Sequence, residues 1–110
     1  MTKYHSVVMY EAMTWTVKFT GRAKKQKERL PERYQDALDA LRRDMELNGP
    51  VLPNWPNYGK IKGRPGFHHC HLNKGKPRYV VVWRVTGKTA HLVEVRYVGT
   101  HEKADYGKIR

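Results

Sequence analysis

Alternating apolar and polar residues predict the strands of this chain. A strictly alternating segment, Met-Thr-Trp-Thr-Val-Lys-Phe-Thr, is typical of a strand with one buried face. The continuous apolar run from Tyr79 to Trp83 indicates a strand in the middle of a sheet. Further along, Val93, Val95 and Tyr97 alternate with polar residues and are expected to share one face. The strand candidates are residues 13–20, 60–62, 67–72, 77–86 and 91–98.

Two helices are expected between the first strand and the others. Residues 21–30 are rich in Lys, Arg, Gln and Ala, which tolerate a helix. Residues 31–48 begin with a proline, which suits a first helical turn, and are followed by Gly49 and Pro50, which end a helix. Helices joined this tightly form an antiparallel hairpin, and its apolar stripe needs a sheet to cover it. The stripe consists of Tyr34, Ala37, Leu38, Leu41 and Met45.

The order of elements predicts an α+β fold. It would contain an N-terminal strand, a two-helix antiparallel hairpin and then a 3–4-stranded antiparallel sheet with one open basic face. A chain of 110 residues suits one domain, here residues 13–110. Residues 1–12 are neutral and without a clear period, and Met13 is a candidate natural start. We therefore interpret residues 1–12 as an N-terminal extension, native or added for expression.

The charge of the chain indicates a polyanionic partner. Lys and Arg number 22 against 10 Asp and Glu, which gives a net charge of +12. Residues 13–30 carry +5 and residues 49–110 carry +9, whereas residues 31–48 carry −2. One side of the fold should therefore be basic. A solvated charged face is the simpler explanation, but an excess of this size favours nucleic acid binding.

Several classes of protein are disfavoured by the sequence. The longest apolar run is far shorter than the roughly 20 residues of a membrane helix, and no secretory signal is visible, so we expect a cytoplasmic protein without a membrane partner. Cys70 is the only cysteine, which excludes an intramolecular disulfide and a cysteine-only metal site.

The segment His68-His69-Cys70-His71 raises the question of a metal site. Strand alternation sends residues 68 and 70 to one face and residues 69 and 71 to the other, so neither a metal nor another cofactor is expected. Histidines on strands are more often packed or hydrogen-bonded than catalytic. We interpret His68, His69 and His91 in this way.

Four motifs carry a resemblance to a known family. They are Tyr58-Gly-Lys60-Ile-Lys62-Gly, Gly66-Phe-His-His-Cys-His71-Leu, Arg78-Tyr79, and Val98-Gly99-Thr100-His101 with Tyr106 just beyond. From residue 15 to residue 106, these motifs and the order of elements resemble the RelE/ParE toxin superfamily. The resemblance is greatest to the RNA-cleaving branch of type II toxin–antitoxin toxins that includes RelE and YafQ.

The resemblance implies an endoribonuclease that cleaves mRNA on the translating ribosome without a metal. It implies that His71 and His101 are catalytic and that Lys60 and Lys62 match the paired lysines of RelE. We add Arg78 as a cation for the transition state and Tyr106 as a group that orients the phosphate or stacks on a base. The chain departs from both relatives. YafQ has a histidine near the position of Gly59 or Lys60 and an acidic residue near that of Arg78, and this chain has neither. RelE has an arginine at the position of His101. The choice of general base is therefore open.

Other cations are candidates for RNA binding. Those on the first helix either contact ribosomal RNA or only solvate the helix. The resemblance also implies a cognate antitoxin, mRNA and the ribosome as partners. The candidate RNA-binding residues are Lys24, Lys25, Lys27, Arg64, Lys74, Lys76, Arg84, Arg96 and Lys103.

Two other functions fit the same sequence, namely a ParE-like inhibitor of DNA gyrase without nuclease activity and a non-enzymatic RNA-binding module.

Overall fold

A computed structural model of the chain describes residues 14–87 and 89–110. The prediction of an extension at residues 1–12 followed by a start at Met13 lies outside these residues. Within them, no helix has both the length and the apolar character needed to cross a membrane. The elements are β1 (Thr16–Phe19), α1 (Gly21–Glu28), α2 (Glu32–Asn48), β2 (Gly59–Lys60), β3 (Phe67–His71), β4 (Tyr79–Gly87), β5 (Leu92–Thr100) and a 3₁₀ turn (His101–Lys103).

The strands form one five-stranded sheet in the order β1-β5-β4-β3-β2. Strands β2 to β5 pair antiparallel, whereas β1 pairs with β5 in parallel. The predicted α+β class is confirmed, but the sheet has more strands than expected and is mixed. A parallel pair cannot be closed by a tight turn, and here the helices and three further strands connect β1 to β5.

The helices cover the first face of the sheet. Leu38, Leu41 and Met45 of α2 are fully buried and pack against side chains of the central strands, among them Trp83. The indole nitrogen of Trp83 donates a hydrogen bond to the carbonyl of Pro50 at 3.1 Å, which satisfies its polar group inside the core. This side of the sheet, the helix face, is therefore the main core of the domain.

The second face of the sheet is only partly open. Val80, Val82 and Phe67 form a smaller apolar cluster there, and Tyr106 and Ile109 of the C-terminal segment pack onto it. Because the apolar run of β4 buries side chains on both faces, the second face also requires a cover. The segment that follows the 3₁₀ turn supplies that cover across part of the face.

A β-bulge in β5 changes which side chains share a face. Val82 pairs with Tyr97 and Trp83 pairs with Val95, so Arg96 is an extra residue on β5. Val93 and Val95 belong to the core under the helices, whereas Tyr97 belongs to the cluster on the second face. The expectation that Tyr97 shares a face with Val93 and Val95 is therefore wrong, because the extra residue inverts the alternation.

Candidate active site

The histidines of β3 lie on two different faces of the sheet. His68 is stacked on Trp83 of the main core, with ring centroids 5.9 Å apart. His69 contacts Tyr106 on the second face, with ring centroids 5.0 Å apart. This is the alternation expected from the sequence. Within residues 14–87 and 89–110, no group of three histidine, cysteine or acidic side chains is placed to hold a metal ion.

The ends of three strands bring His71 and His101 together. His71 is the last residue of β3, and its amide donates to the carbonyl of Pro56 at 2.7 Å. His101 directly follows β5, and its amide donates to the carbonyl of Arg78 at 2.8 Å, just before β4 begins. The two rings meet edge to face with centroids 5.5 Å apart. The two histidines singled out by the motifs are thus neighbours.

The ring of His71 is enclosed without belonging to either apolar cluster. The residue is only 5% exposed, yet it lines a cleft of about 450 Å³ together with Asn57, Lys74 and Arg78. Burial is the main reason why the pKa of His71 lies below its ordinary value of 6.5, and the charges of His101, Arg78 and His69 lower the pKa further. His71 is therefore neutral near pH 7 and able to accept a proton.

His69 is a third member of this histidine group. Its ring packs against Tyr106, and both its Nδ1 atom and the Tyr106 hydroxyl are buried without a hydrogen-bond partner among the described residues. A Cβ atom on Gly59 would lie 3.3 Å from His69 Nε2, so the glycine allows close packing behind the ring. Burial and the charge of His101 lower the pKa of His69. Sequence reasoning took His69 as structural, although its parity with His71 already indicated a shared face.

Arg78 and Tyr106 lie with the histidines. Arg78 is exposed and lines the cleft of His71. Tyr106 is half-buried, and burial raises the pKa of its hydroxyl, so it remains protonated near neutral pH. The carbonyl of Tyr106 accepts a hydrogen bond of 2.6 Å from Arg64, which fixes the C-terminal segment over the sheet.

Lys60 is not placed with His71 and His101. Lys60 is paired with His68 across β2 and β3, and directly opposed residues of antiparallel strands share a face. Lys60 therefore lies on the helix face, where its charge helps to lower the pKa of His68. Strand β2 ends at Lys60, so Lys62 lies outside the strand that was predicted at residues 60–62. Lys62 is exposed in the turn that follows.

His68 and His91 make packing contacts instead. His68 is 4% exposed, and its Nδ1 atom lies 2.7 Å from the hydroxyl of Tyr58. Burial, assisted by Lys60, lowers the pKa of His68 to about 4. His91 is exposed and stacks on Trp15 with centroids 4.4 Å apart. Both histidines lie away from the group around His71.

The candidate RNA-binding cations fall into two groups. Some already have partners within the protein: Lys27 forms an ion pair with Asp39 at 2.6 Å, and Arg96 forms one with Glu94. Three arginines surround the ring of Phe67, with Arg64 at 3.9 Å, Arg84 at 5.2 Å and Arg96 at 5.9 Å from its centroid. The second group is exposed: Lys24 and Lys25 on α1, Lys74 and Lys76 in the β3–β4 turn, and Lys103 in the 3₁₀ turn.

Comparison with known proteins identifies the fold. No protein-family model and no curated protein matches the chain. Among solved structures, a double mutant of the Escherichia coli toxin RelE in its free state is 21% identical, with a TM-score of 0.64, covering 82% of this chain and 86% of that one. The YoeB dimer from Staphylococcus aureus is 13% identical, with a TM-score of 0.63, covering 80% and 98%.

RelE from the archaeon Pyrococcus horikoshii, solved in complex with RelB, is 19% identical, with a TM-score of 0.65, covering 84% of this chain and 100% of that one. At these low sequence identities, the comparison shows a shared backbone fold only. This shared fold agrees with the resemblance that the sequence motifs indicated. The chain therefore has the fold of the RelE toxins.

Proposed function

We propose that this protein is the toxin of a type II toxin–antitoxin system and an endoribonuclease that cleaves mRNA. The observation that carries the proposal is the contact between His71 and His101 beside the exposed Arg78. An acid, a base and a cation grouped around His71 are what metal-independent RNA cleavage requires. A toxin that acts only through protein contacts has no need of this arrangement.

The proposed reaction uses the ribose 2′-hydroxyl as the nucleophile. A neutral His71 takes the 2′-hydroxyl proton, and the 2′-oxygen attacks the adjacent phosphorus to form a phosphorane. His101, in its protonated form, gives a proton to the departing 5′-oxygen as the P–O5′ bond breaks. The products are a 2′,3′-cyclic phosphate and a 5′-hydroxyl. The lowered pKa of His71 favours it as the base, whereas the exposed position of His101 suits exchange of its proton with solvent.

The cations and aromatic groups of the site complete the proposal. Arg78 would neutralise the charge that develops on the phosphorane. The half-buried ring of Tyr106 would stack on a base, since its hydroxyl is enclosed, and His69 would hold this ring in place. Because Lys60 lies on the helix face and Lys62 in a turn, we give the transition-state role to Arg78 rather than to these lysines.

The partners are part of the same proposal. RelE of Pyrococcus horikoshii was solved in a complex with RelB. By analogy, a cognate antitoxin would neutralise this chain by laying an acidic or amphipathic segment over the basic side or the helices. The exposed Lys24 and Lys25 of α1 are the candidate contacts to ribosomal RNA, since cleavage is proposed to occur on the translating ribosome.

Expression in a bacterial host tests the proposal. The wild-type chain, His71→Ala, His101→Ala and the control His91→Ala are induced separately, and mRNA ends are mapped by primer extension. The wild type and His91→Ala should stop growth and create new mRNA ends, whereas the two active-site variants should do neither. Growth arrest without new ends, combined with loss of DNA supercoiling by gyrase, would replace the nuclease with a gyrase inhibitor. Cleavage that persists in both active-site variants would remove the histidines from the mechanism.

A further inference from the structure

A small cleft lined by cations lies beside the candidate active site. It is formed by the first turn of α1, the bulged part of β5 and the C-terminal segment, and its volume is about 160 Å³. We call it the cationic cleft. Its charged lining consists of Arg22, Arg96, Lys103, Lys108, Arg110 and Asp105.

The positive charge of the cationic cleft is largely unbalanced within the protein. Arg96 is paired with Glu94, but Arg22, Lys103 and Lys108 form no ion pair in the part of the chain that the structure describes. Asp105 supplies one negative charge to the lining, and its carboxylate also accepts a hydrogen bond from the amide of Gly107 at 3.1 Å, so the cations of the cleft still outnumber its acidic side chains. Several like charges around one small space repel each other unless an anion joins them. The geometry therefore favours an anionic ligand.

The cationic cleft is close to the histidine pair along the chain. Lys103 follows His101 by two residues and Asp105 follows it by four, so their Cα atoms lie within roughly 7 Å and 14 Å of that of His101 at about 3.6 Å per residue. A stacked nucleic acid strand advances about 3.4 Å per nucleotide along its helix axis, and an unstacked strand advances further. A phosphate in the cleft would thus belong to a nucleotide within a few positions of the one held at His71 and His101.

We propose that the cationic cleft binds a phosphodiester of the RNA strand next to the linkage that is cleaved. The inference rests on the proposed function and extends it, because it says which way the strand leaves the histidine pair: over the 3₁₀ turn towards α1. Arginine guanidinium groups bind phosphate in a bidentate manner, and two of the unpaired cations are arginines, Arg22 and Arg110. Continuity with the active-site turn favours RNA over an acidic protein segment.

RNA binding at several salt concentrations tests the cationic cleft. A fluorescent single-stranded RNA of ten nucleotides is titrated with the His71→Ala protein, which should bind RNA without cutting it. The same titration is made with Arg22→Gln/Lys108→Gln added, and with a matched control pair, Arg29→Gln/Arg43→Gln, whose exposed arginines lie outside the cationic cleft. Circular dichroism and thermal unfolding establish that every protein is folded.

The cleft variant should weaken RNA binding by about tenfold and lower the slope of log K against log salt by about one, as expected for one lost phosphate contact. The control pair should change binding by less than about threefold. If the two double variants behave alike while RNA binding remains salt-dependent, the cationic cleft is not an RNA site and the proposed nuclease stands. If the His71→Ala parent shows no salt-dependent RNA binding, the cationic cleft is not an RNA site, and the mapping of mRNA ends decides the proposed nuclease separately.

Two further probes separate other ligands. If a nucleoside monophosphate displaces the RNA at a concentration equal to that of the oligomer, the cationic cleft takes a free nucleotide instead of a strand. If the cleft variant keeps its RNA affinity but no longer binds an oligoglutamate peptide that the parent binds, the site serves an acidic protein segment. Either result overturns the inference.

Discussion

Acidification should destabilise the protein through His68, a histidine that the proposed chemistry does not use. His68 is 4% exposed, and its pKa falls from 6.5 to about 4 because burial and Lys60 disfavour its charged form. The unfolded chain takes up the proton below pH 6.5, whereas the folded protein does so only near pH 4. The contribution of the neutral His68 to the free energy of unfolding is therefore complete above pH 6.5 and is lost progressively as the pH falls to about 4. At about 1.36 kcal/mol for each pKa unit, the loss approaches about 3 kcal/mol.

Urea unfolding, followed by tryptophan fluorescence at pH 7 and at pH 4, measures this effect. The wild type should lose about 3 kcal/mol more between the two pH values than His68→Gln does. His91→Gln, which removes an exposed histidine, should behave like the wild type. His68→Gln should also lower the stability at every pH, because it disturbs the contact with Tyr58, but only the difference between the two pH values reports the titration. An equal pH dependence in the wild type and His68→Gln would refute the reasoning.

Three other outcomes concern the second face of the sheet. Gly99→Ala should reduce the free energy of unfolding by about 1–3 kcal/mol, because its Cβ atom would lie 2.6 Å from the Tyr97 hydroxyl; an unchanged urea midpoint would contradict this. On the acidic side of the pH profile, the single-turnover rate of mRNA cleavage should fall with a midpoint below 6.5, because His71, whose pKa is lowered, gains a proton there; an acidic midpoint at or above 6.5 would assign the base to another group. Arg78→Gln should slow cleavage by about a hundredfold, and Lys60→Gln by much less, because Arg78 lines the His71 cleft whereas Lys60 lies on the helix face; equal losses would contradict this placement.

Local patterns predicted the elements of the fold but not all of their pairings. The apolar run of β4 and the stripe of α2 identified the core, since burial on both sides of a central strand leaves a clear sequence pattern. The parallel pairing of β1 with β5 could not be predicted, because it joins segments that are distant along the chain. The cover formed by Tyr106 and Ile109 was also missed, since two apolar residues in a short C-terminal segment are too few to establish a period.

The candidate site shows the same division between local and long-range information. Motifs were enough to single out His71 and His101, and the structure brings their rings together. Parity within β3 separated His68 from His71, but His69 was left with the structural histidines because single histidines on strands are usually packed. The placement of Lys60 depends on its register with β3, which the sequence of a two-residue strand does not specify.

The bulge at Arg96 makes the length of β5 as important as its composition. Upstream of it, odd-numbered side chains enter the core beneath the helices; downstream, Tyr97 and Gly99 lie on the side where the histidines gather. Deletion of one residue here would move every following side chain of β5 to the opposite face of the sheet. His101, which directly follows β5, would then no longer be directed towards His71. Insertions and deletions of a single residue in β5 should therefore be tolerated far less well than conservative substitutions at the same positions.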